Sequence, residues 1–450
     1  MTVIYSMEYE EGTTEKTTEK ILNLISENPN VTTDELARLC NLTPDGVYYH
    51  TKRLRDKGAL IREGGRKEGH WKEIKNNYHT MKILITGVHG FVGSNLVEAL
   101  KKEHTIYGLD IVNPSREGVV HTFSWEELDK VQGSRVQGSS PETRIPEVDA
   151  IIHLAGKAHD VKSDGRGQKE EYMKINCGLT QRIFDWFLAQ PKCKKFVFFS
   201  TAKAAADKVD GILTEDVVPT PVGPYGESKI AAERYILDQF KVYSSKLKDS
   251  LKVESGEESL NDSKDTLDTD NSTLATDAQL YTLNSQLQTK SVYIFRPCMI
   301  HGPGNKGNLN LLYNVVKKGI PWPLGAFENR RTFTSVENIC FAVNGVLTKD
   351  VPSGIYNMGD DEALSTNELI EEICKSIGKK AHIWSIPKGL MTSVAKVGDI
   401  LHLPLNSERL RKLTENYISS NAKIKKALGI DKMPVDAREG LKVTLESFKG

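Results

Sequence analysis

KILITGVHGFVGSNLVEALKKEHTIYGLD, residues 82–110, passes from an apolar run through three spaced glycines into a helical pattern and out into a second apolar run. The order is strand, glycine turn, helix, strand. Gly87, Gly90 and Gly93 are spaced G-x-x-G-x-x-G. This suits a tight turn, close approach of backbone to a pyrophosphate, and close packing of a helix whose N-terminus faces the phosphates. Asp110 closes the second strand about twenty residues on, where a carboxylate accepts bonds from the adenosine ribose hydroxyls and repels a 2′-phosphate. The unit predicts a dinucleotide site that favours NAD over NADP.

Two further apolar runs obey the same logic. VDAIIHLAG (148–156) ends at Leu154, Ala155 and Gly156, and KKFVFFST (194–201) ends at Ser200 and Thr201. Strands alternating with helices imply an α/β fold, a Rossmann-type doubly wound parallel sheet with ligands along its C-terminal edge. Downstream, PYGESKIAAERYI (224–236) places Tyr225 and Lys229 four apart, on one helical face. A phenol ordinarily ionises near pH 10, too high for proton transfer at neutrality. An ammonium at 229 and the positive charge of a nicotinamide would lower it, and Lys229 would also grip the nicotinamide ribose.

The 450 residues exceed one compact core, so at least two units are expected. The 60 basic and 60 acidic residues cancel, leaving no global field to draw the molecule to nucleic acid or an anionic membrane. Six scattered cysteines suggest neither a disulfide framework nor a zinc cluster, so no metal site is expected and a reducing cytoplasm fits. The acidic N-terminus does not read as a signal peptide, and no apolar run is long enough to span a bilayer.

The main boundary falls near residue 80, where KNNYHT gives way to Met81 and KILITG. Residues 1–16 read as a flexible tail and 17–78 as a small module of three helices and a hairpin. Thr17–Asn28 spaces Ile21, Leu22, Leu24 and Ile25 as one helix. Thr33 is placed as the cap of the second, with Glu35 in its first turn, and Thr43 as the cap of the third. ALIREGG and GHWKEI then form the hairpin. This is the order of a winged helix-turn-helix, and the segment resembles the winged-helix modules of bacterial regulators. His50, Lys52, Arg53, Arg55 and Lys57 on the third helix, with Arg62, Arg66 and Lys67 on the hairpin, point to DNA as a partner. The alternative is a solvated face on a protein-binding module.

A second break spans 243–290, a run rich in Ser, Thr, Asp and Glu that cannot bury enough apolar surface to offset its ordering entropy. It reads as a disordered insertion within the α/β part, with residues 81–242 before it and 291–450 after it. The latter hold the last strands and a smaller C-terminal substrate-binding region.

From Met81 to about Ala427 the chain resembles the extended short-chain dehydrogenase family, the NAD-dependent nucleotide-sugar epimerases, dehydratases and 4-ketoreductases. The resemblance rests on TGVHGFVG, HLAG, INCGLT, FFSTAK, YGESK, FRPCMIHGPG and NRRTFTSVEN, in that order. It implies a catalytic Thr201, Tyr225 and Lys229, with Thr201 on the reacting sugar hydroxyl and Ser200 as the fallback. It implies a cofactor held by Gly87, Gly90, Phe91, Val92, Gly93, Asp110, Leu154, Ala155, Gly156, Asn176, Tyr225, Lys229 and Pro297. The sugar nucleotide would meet Thr201, Asn308, Arg331 and Arg409, with Arg331 on the diphosphate, where a planar guanidinium can bond two oxygens at once. Cys298 and His301 are expected to be packing or pocket residues, since the resemblance assigns them no proton-transfer role. The implied reaction is hydride transfer at C4 of a UDP-hexose or UDP-N-acetylhexosamine by an epimerase. The alternative within the family is a UDP-4-keto-6-deoxy-sugar reductase of surface-polysaccharide synthesis. Met299 stands where several 4-epimerases carry asparagine, and Ala202 and Lys203 replace the Asp-Glu pair of dehydratases. A homodimer is implied as well. A reading from another class is a regulator that senses NAD or a sugar nucleotide and binds DNA, although a sensor needs no acid or base.

Overall fold

The computed structural model describes residues 11–56, 60–64, 69–73, 80–133, 145–157, 168–254, 290–401 and 406–449. They fall into two compact units, Met1–His79 and Thr80–Gly450.

The first unit contains helices α1 (Glu11–Glu27), α2 (Thr33–Cys40) and α3 (Pro44–Asp56), then the antiparallel hairpin β1 (Leu60–Glu63) and β2 (His70–Glu73). Ile21, Ile25, Leu36, Val47, Leu54, Leu60 and Trp71 make its core. Helix α1 begins six residues earlier than the periodicity of 17–28 predicts, within the segment expected to be a tail. The cap of α2 is Thr32, not Thr33: its hydroxyl accepts from Glu35 N, and the Glu35 carboxylate accepts from Thr32 N at 2.8 Å. The reciprocal pair needs acceptors three apart, which Thr32 and Glu35 supply. Thr43 caps α3 through Gly46 N, as expected.

The second unit is built on seven parallel strands in the order β12-β9-β7-β6-β3-β4-β5. They are β3 (Lys82–Thr86), β4 (Thr105–Leu109), β5 (Val119–Phe123), β6 (Ala150–His153), β7 (Lys195–Phe199), β9 (Ser291–Pro297) and β12 (Gly354–Met358). The strands are apolar on both faces because helices cover both. Leu84, Ile151, Phe196, Phe198 and Ile294 face one cluster, and Ile83, Ile85, Ile152, Val197 and Phe295 face the other. Helix α4 (Phe91–Leu100) follows the glycine turn, α5 (Trp125–Gly133) follows β5, and α6 (Gln168–Tyr172) leads through a π-helical turn, Met173–Gly178, into α7 (Leu179–Ala189).

Short α8 (Ala202–Ala205) and β8 (Ile212–Leu213) precede α9 (Pro224–Glu254). Helix α9 continues to Glu254, so the first part of the segment assigned to an insertion is helical; residues 255–289 lie outside the described residues. The chain returns at Lys290, whose buried ammonium uses its three donors on the carbonyls of Phe187, Gln190 and Cys193.

A smaller C-terminal layer carries the three-stranded sheet β10 (Met299–His301), β11 (Arg331–Ser335) and β13 (Ala363–Leu364). Around it lie α10 (Asn308–Lys317), α11 (Val336–Thr348), α12 (Thr366–Ser376), α13 (Lys388–Leu401) and α14 (Ser407–Thr414). No helix of the described residues is long and apolar enough to cross a membrane.

Candidate active site

The C-terminal ends of β3, β6, β7 and β9 open onto one cavity of about 990 Å³, roofed by α10, α14 and the start of β11. At one end lies the glycine turn. Gly87 has φ +69°, a conformation that L side chains rarely adopt, and a Cβ there would stand 3.0 Å from Ala155 N. A Cβ at Gly93 would strike the carbonyl oxygens of Gly87 and Val88, the latter at 2.7 Å. Gly90 starts α4, and Gly87, Gly90, Phe91, Val92 and Gly93 all line the cavity. Leu154, Gly156 and Pro297 line it too. At Gly156 a Cβ would lie 2.8 Å from Asn176 Oδ1 and 3.3 Å from Lys229 Nζ. A backbone cradle that side chains would fill, opening on the N-terminus of a ten-residue helix, fits a dinucleotide pyrophosphate.

Three expected cofactor residues stand behind this wall, absent from the cavity lining. Asp110 accepts from His89 N at 3.1 Å and from Ile111 N at 2.7 Å, which fastens the glycine turn to the end of β4. The amide of Ala155 donates to Thr86 Oγ1. Asn176, fully buried in the π-helical turn, accepts from Lys157 N at 2.7 Å and donates to Lys157 O and Ser228 Oγ. Its carboxamide ties the Gly156–Lys157 turn to α9, a positioning task.

At the centre stand Thr201, Tyr225 and Lys229. The extended backbone of Thr201 ends β7, its hydroxyl caps α8 by accepting from Lys203 N at 3.3 Å, and it also bonds the Tyr225 phenol. Ser200, one residue earlier, donates to the Glu233 carboxylate, so its hydroxyl is committed elsewhere. The Tyr172 ring meets that of Tyr225 edge to face, centroids 6.1 Å apart. Burial holds the Tyr225 phenol above its ordinary value, the Thr201 bond opposing it. The lowering expected from the sequence invoked the charge of a bound nicotinamide as well as Lys229; without it, burial sets the direction. Lys229 is itself buried. Its Nζ donates to Phe199 O at 2.9 Å and lies 5.0 Å from the Phe198 ring centre, and burial brings it down to about 8, against the pull of Glu233.

The far end is formed by side chains. Asn308 begins α10, Arg331 begins β11 and Arg409 lies on α14; all three line the cavity with Leu309, Trp322 and Leu413. Arg331 donates to Glu415 O at 3.3 Å, lies 3.7 Å from the Glu415 carboxylate, and is drawn down by burial. Arg330 points elsewhere, to Glu368 at 3.0 Å. Cys298 lines the cavity with a thiol that burial pushes up to about 12. His301 is packed away between Thr444 and Asp360. Glu233 and Arg296, both fully buried beneath the centre, escaped the sequence reading; the helical spacing of Glu233 one turn beyond Lys229 was the available signal.

In the first unit Lys52, Arg55 and Arg62 are exposed, with Arg62 over the Trp71 ring. His50 is turned inward and bonded to Thr18 at 2.7 Å, which removes it from the expected basic face. The side chain of Arg53, and Lys57, Arg66 and Lys67, lie outside the described residues.

Residues 83–247 match the profile of the NAD dependent epimerase/dehydratase family, and residues 14–61 that of a winged helix-turn-helix DNA-binding domain. The two matches fall one on each compact unit. An uncharacterized protein of Sinorhizobium fredii is 24% identical over 324 residues, taking in 71% of this chain and 66% of that protein. UDP-glucose 4-epimerase of Vibrio cholerae is 24% identical over 379 residues, 81% of this chain and 95% of the enzyme. The solved structure of MoeE5 in complex with UDP-glucuronic acid and NAD shares the fold. It has a TM-score of 0.55 and 19% identity, and the match covers 82% of this chain and 99% of that one.

Proposed function

We propose that the epimerase/dehydratase unit is an NAD-dependent nucleotide-sugar 4-epimerase acting on a UDP-hexose or UDP-N-acetylhexosamine. The observation that carries this is the placing of Thr201, Tyr225 and Lys229 midway along one cavity. A phosphate cradle of glycines lies at one end and Arg331 and Arg409 at the other. Of the relatives named above, the Vibrio cholerae protein is a UDP-glucose 4-epimerase and MoeE5 is solved with UDP-glucuronic acid, which supports the choice of ligand.

The glycine turn, Leu154, Gly156 and Pro297 would hold the dinucleotide, with Lys229 offering donors beyond the one spent on Phe199 O to its ribose. Bound there, the nicotinamide supplies a two-electron acceptor and donor. Tyr225 takes the proton of the C4 hydroxyl as that carbon is oxidised and returns it when the carbon is reduced. Thr201, bonded to the phenol, orients the reacting oxygen. In the complex, the Lys229 ammonium and the nicotinamide charge would together favour the Tyr225 phenolate. Apolar walls of Leu309, Trp322 and Leu413 exclude water, and Arg331 would exchange Glu415 for the diphosphate.

Incubation with UDP-glucose, UDP-N-acetylglucosamine and their 4-keto-6-deoxy derivatives, read by mass spectrometry and chromatography, tests this. Interconversion of epimers without added cofactor is expected. Stoichiometric loss of added NADH would instead assign a reductase, and no turnover of any sugar would end the proposal.

For the first unit we infer DNA binding, supported by the domain match and by exposed Lys52, Arg55 and Arg62. A gel shift on the DNA upstream of its own coding region should show a complex that weakens steeply with salt. No specific shift at physiological salt would refute it.

A further inference from the structure

We propose that Glu233, clamped by Arg296 and Ser200 beneath the cavity floor, is a positioning residue for the reaction that keeps the Lys229 amine charged and aimed at the cavity. It rests on the reading of Lys229 as partner of the ribose and the phenol.

The geometry is a buried network with two connections to the site. Arg296, on β9, donates through Nε to Glu233 Oε1 at 3.0 Å and to Oε2 at 3.2 Å, and through Nη2 to Oε2 at 2.5 Å. Ser200 donates its hydroxyl to Oε1. Both charged side chains are fully buried, at 0% and 1% exposure. One connection is covalent: Ser200 precedes Thr201, so fixing the serine side chain fixes the end of β7 from which the threonine hydroxyl projects. The other is helical. Lys229 and Glu233 are one turn apart on α9, and the carboxylate acts on the ammonium from that distance.

A purely structural pair would gain little from its charges, since apolar residues of equal volume are commonly as stable as a buried ion pair. The surroundings of Lys229 give this one a task. On its own helix it meets Tyr225 and Glu233. From β6 it meets His153, which is hydrogen-bonded at both ring nitrogens by Thr86 and Thr180 and held well below its ordinary range by burial and by Lys229 itself. From β7 it meets the Phe199 carbonyl and the Phe198 ring. From the turn after β6 it meets Gly156, and the carboxamide of Asn176 adjoins that turn. Among the charged groups of the described residues, Glu233 is the one that opposes the burial that drives the amine down to about 8. Neutralising Glu233 would remove that support and leave the Arg296 cation behind, so the amine would shed its proton at lower pH.

The test is Glu233→Gln, an isostere that can still accept from Ser200 and Arg296. NADH affinity of native and variant chains is followed by fluorescence from about pH 6 to about pH 10, with turnover measured in parallel. Native affinity should fall with a midpoint near 8. The variant should match native at the acid end, which certifies its fold, and fall about one pH unit earlier, a tenfold loss of ammonium at a given pH. Its kcat should follow the same shift with the sugar-nucleotide KM unchanged. Removing both charges in Glu233→Gln/Arg296→Met should bring the midpoint back upward. Superimposable native and variant curves would overturn the proposal. If the variant does not fold, native affinity that stays flat from about pH 6 to about pH 10 would overturn it as well, since the amine would then need no support against burial. Failure to bind NADH at every pH would instead break the cofactor assignment on which it rests.

Discussion

At one end of the cavity the wall is backbone: Gly87 and Gly93 let main chain approach main chain so closely that Cβ atoms would crowd it, and Gly156 leaves room for the Asn176 and Lys229 side chains. At the other end the wall is long side chains, Arg331 and Arg409, brought from separate segments, with Arg331 already engaged by Glu415. The glycine end is rigid because its shape is steric, and a ligand fits it or does not. The arginine end is adjustable because its charges change partners, and affinity there is a difference between a carboxylate and a phosphate. The centre joins the two, and the proposed chemistry requires both to hold the ligand against Tyr225.

The largest effect should come from the junction. Tyr225→Phe keeps the ring against Tyr172 but removes the proton carrier, and turnover should fall about 10²- to 10⁴-fold with NADH affinity little changed. Undiminished turnover of UDP sugars would break the link between the two ends. Gly93→Ala tests the steric end. Crowding backbone carbonyls costs about 1–3 kcal/mol, so NADH should bind about 5- to 150-fold more weakly, by fluorescence titration. Equal affinity would show that this end is not shaped by close approach. Arg331→Ala tests the adjustable end: steady-state kinetics should show the sugar-nucleotide KM rising about tenfold, with kcat nearly kept because uniform binding is lost. A fall in kcat with unchanged KM would move Arg331 into the chemistry. Smallest is Arg330→Ala, which breaks a half-exposed pair with Glu368 outside the cavity. Its thermal stability should change by less than about 1 kcal/mol, and KM should not move.

Legibility in the sequence follows the same divide. The glycine turn, the strand ends at Leu154–Gly156 and Thr201, and the Tyr225–Lys229 pair are local features whose geometry is fixed by spacing along a strand, turn or helix. All of them are in the structure, with Tyr225, Lys229 and Thr201 on one cavity. Asn176, Asp110 and Ala155 lie outside the cavity lining and are bonded to Lys157, Ser228, His89, Ile111 and Thr86, partners the motifs do not reveal. The burial that raises the Tyr225 phenol was not legible in the sequence, because neighbours in a helix are visible there and burial is not. The cap of α2 moved by one residue for a smaller reason: Thr32 and Thr33 are both competent, and the reciprocal bond with Glu35 selects the first.

The sequence alone determined the parallel sheet, the glycine turn and the helix carrying tyrosine and lysine, since each is a periodic or contiguous pattern whose meaning is complete within a few turns of chain. Tertiary structure alone decided which hydroxyl bonds the Tyr225 phenol and what surrounds the lysine. Ser200 is drawn to Glu233, 33 residues away, and Glu233 to Arg296, a further 63. Hydrogen bonds and charges act through space, and those partners become neighbours only when α9 packs against the sheet.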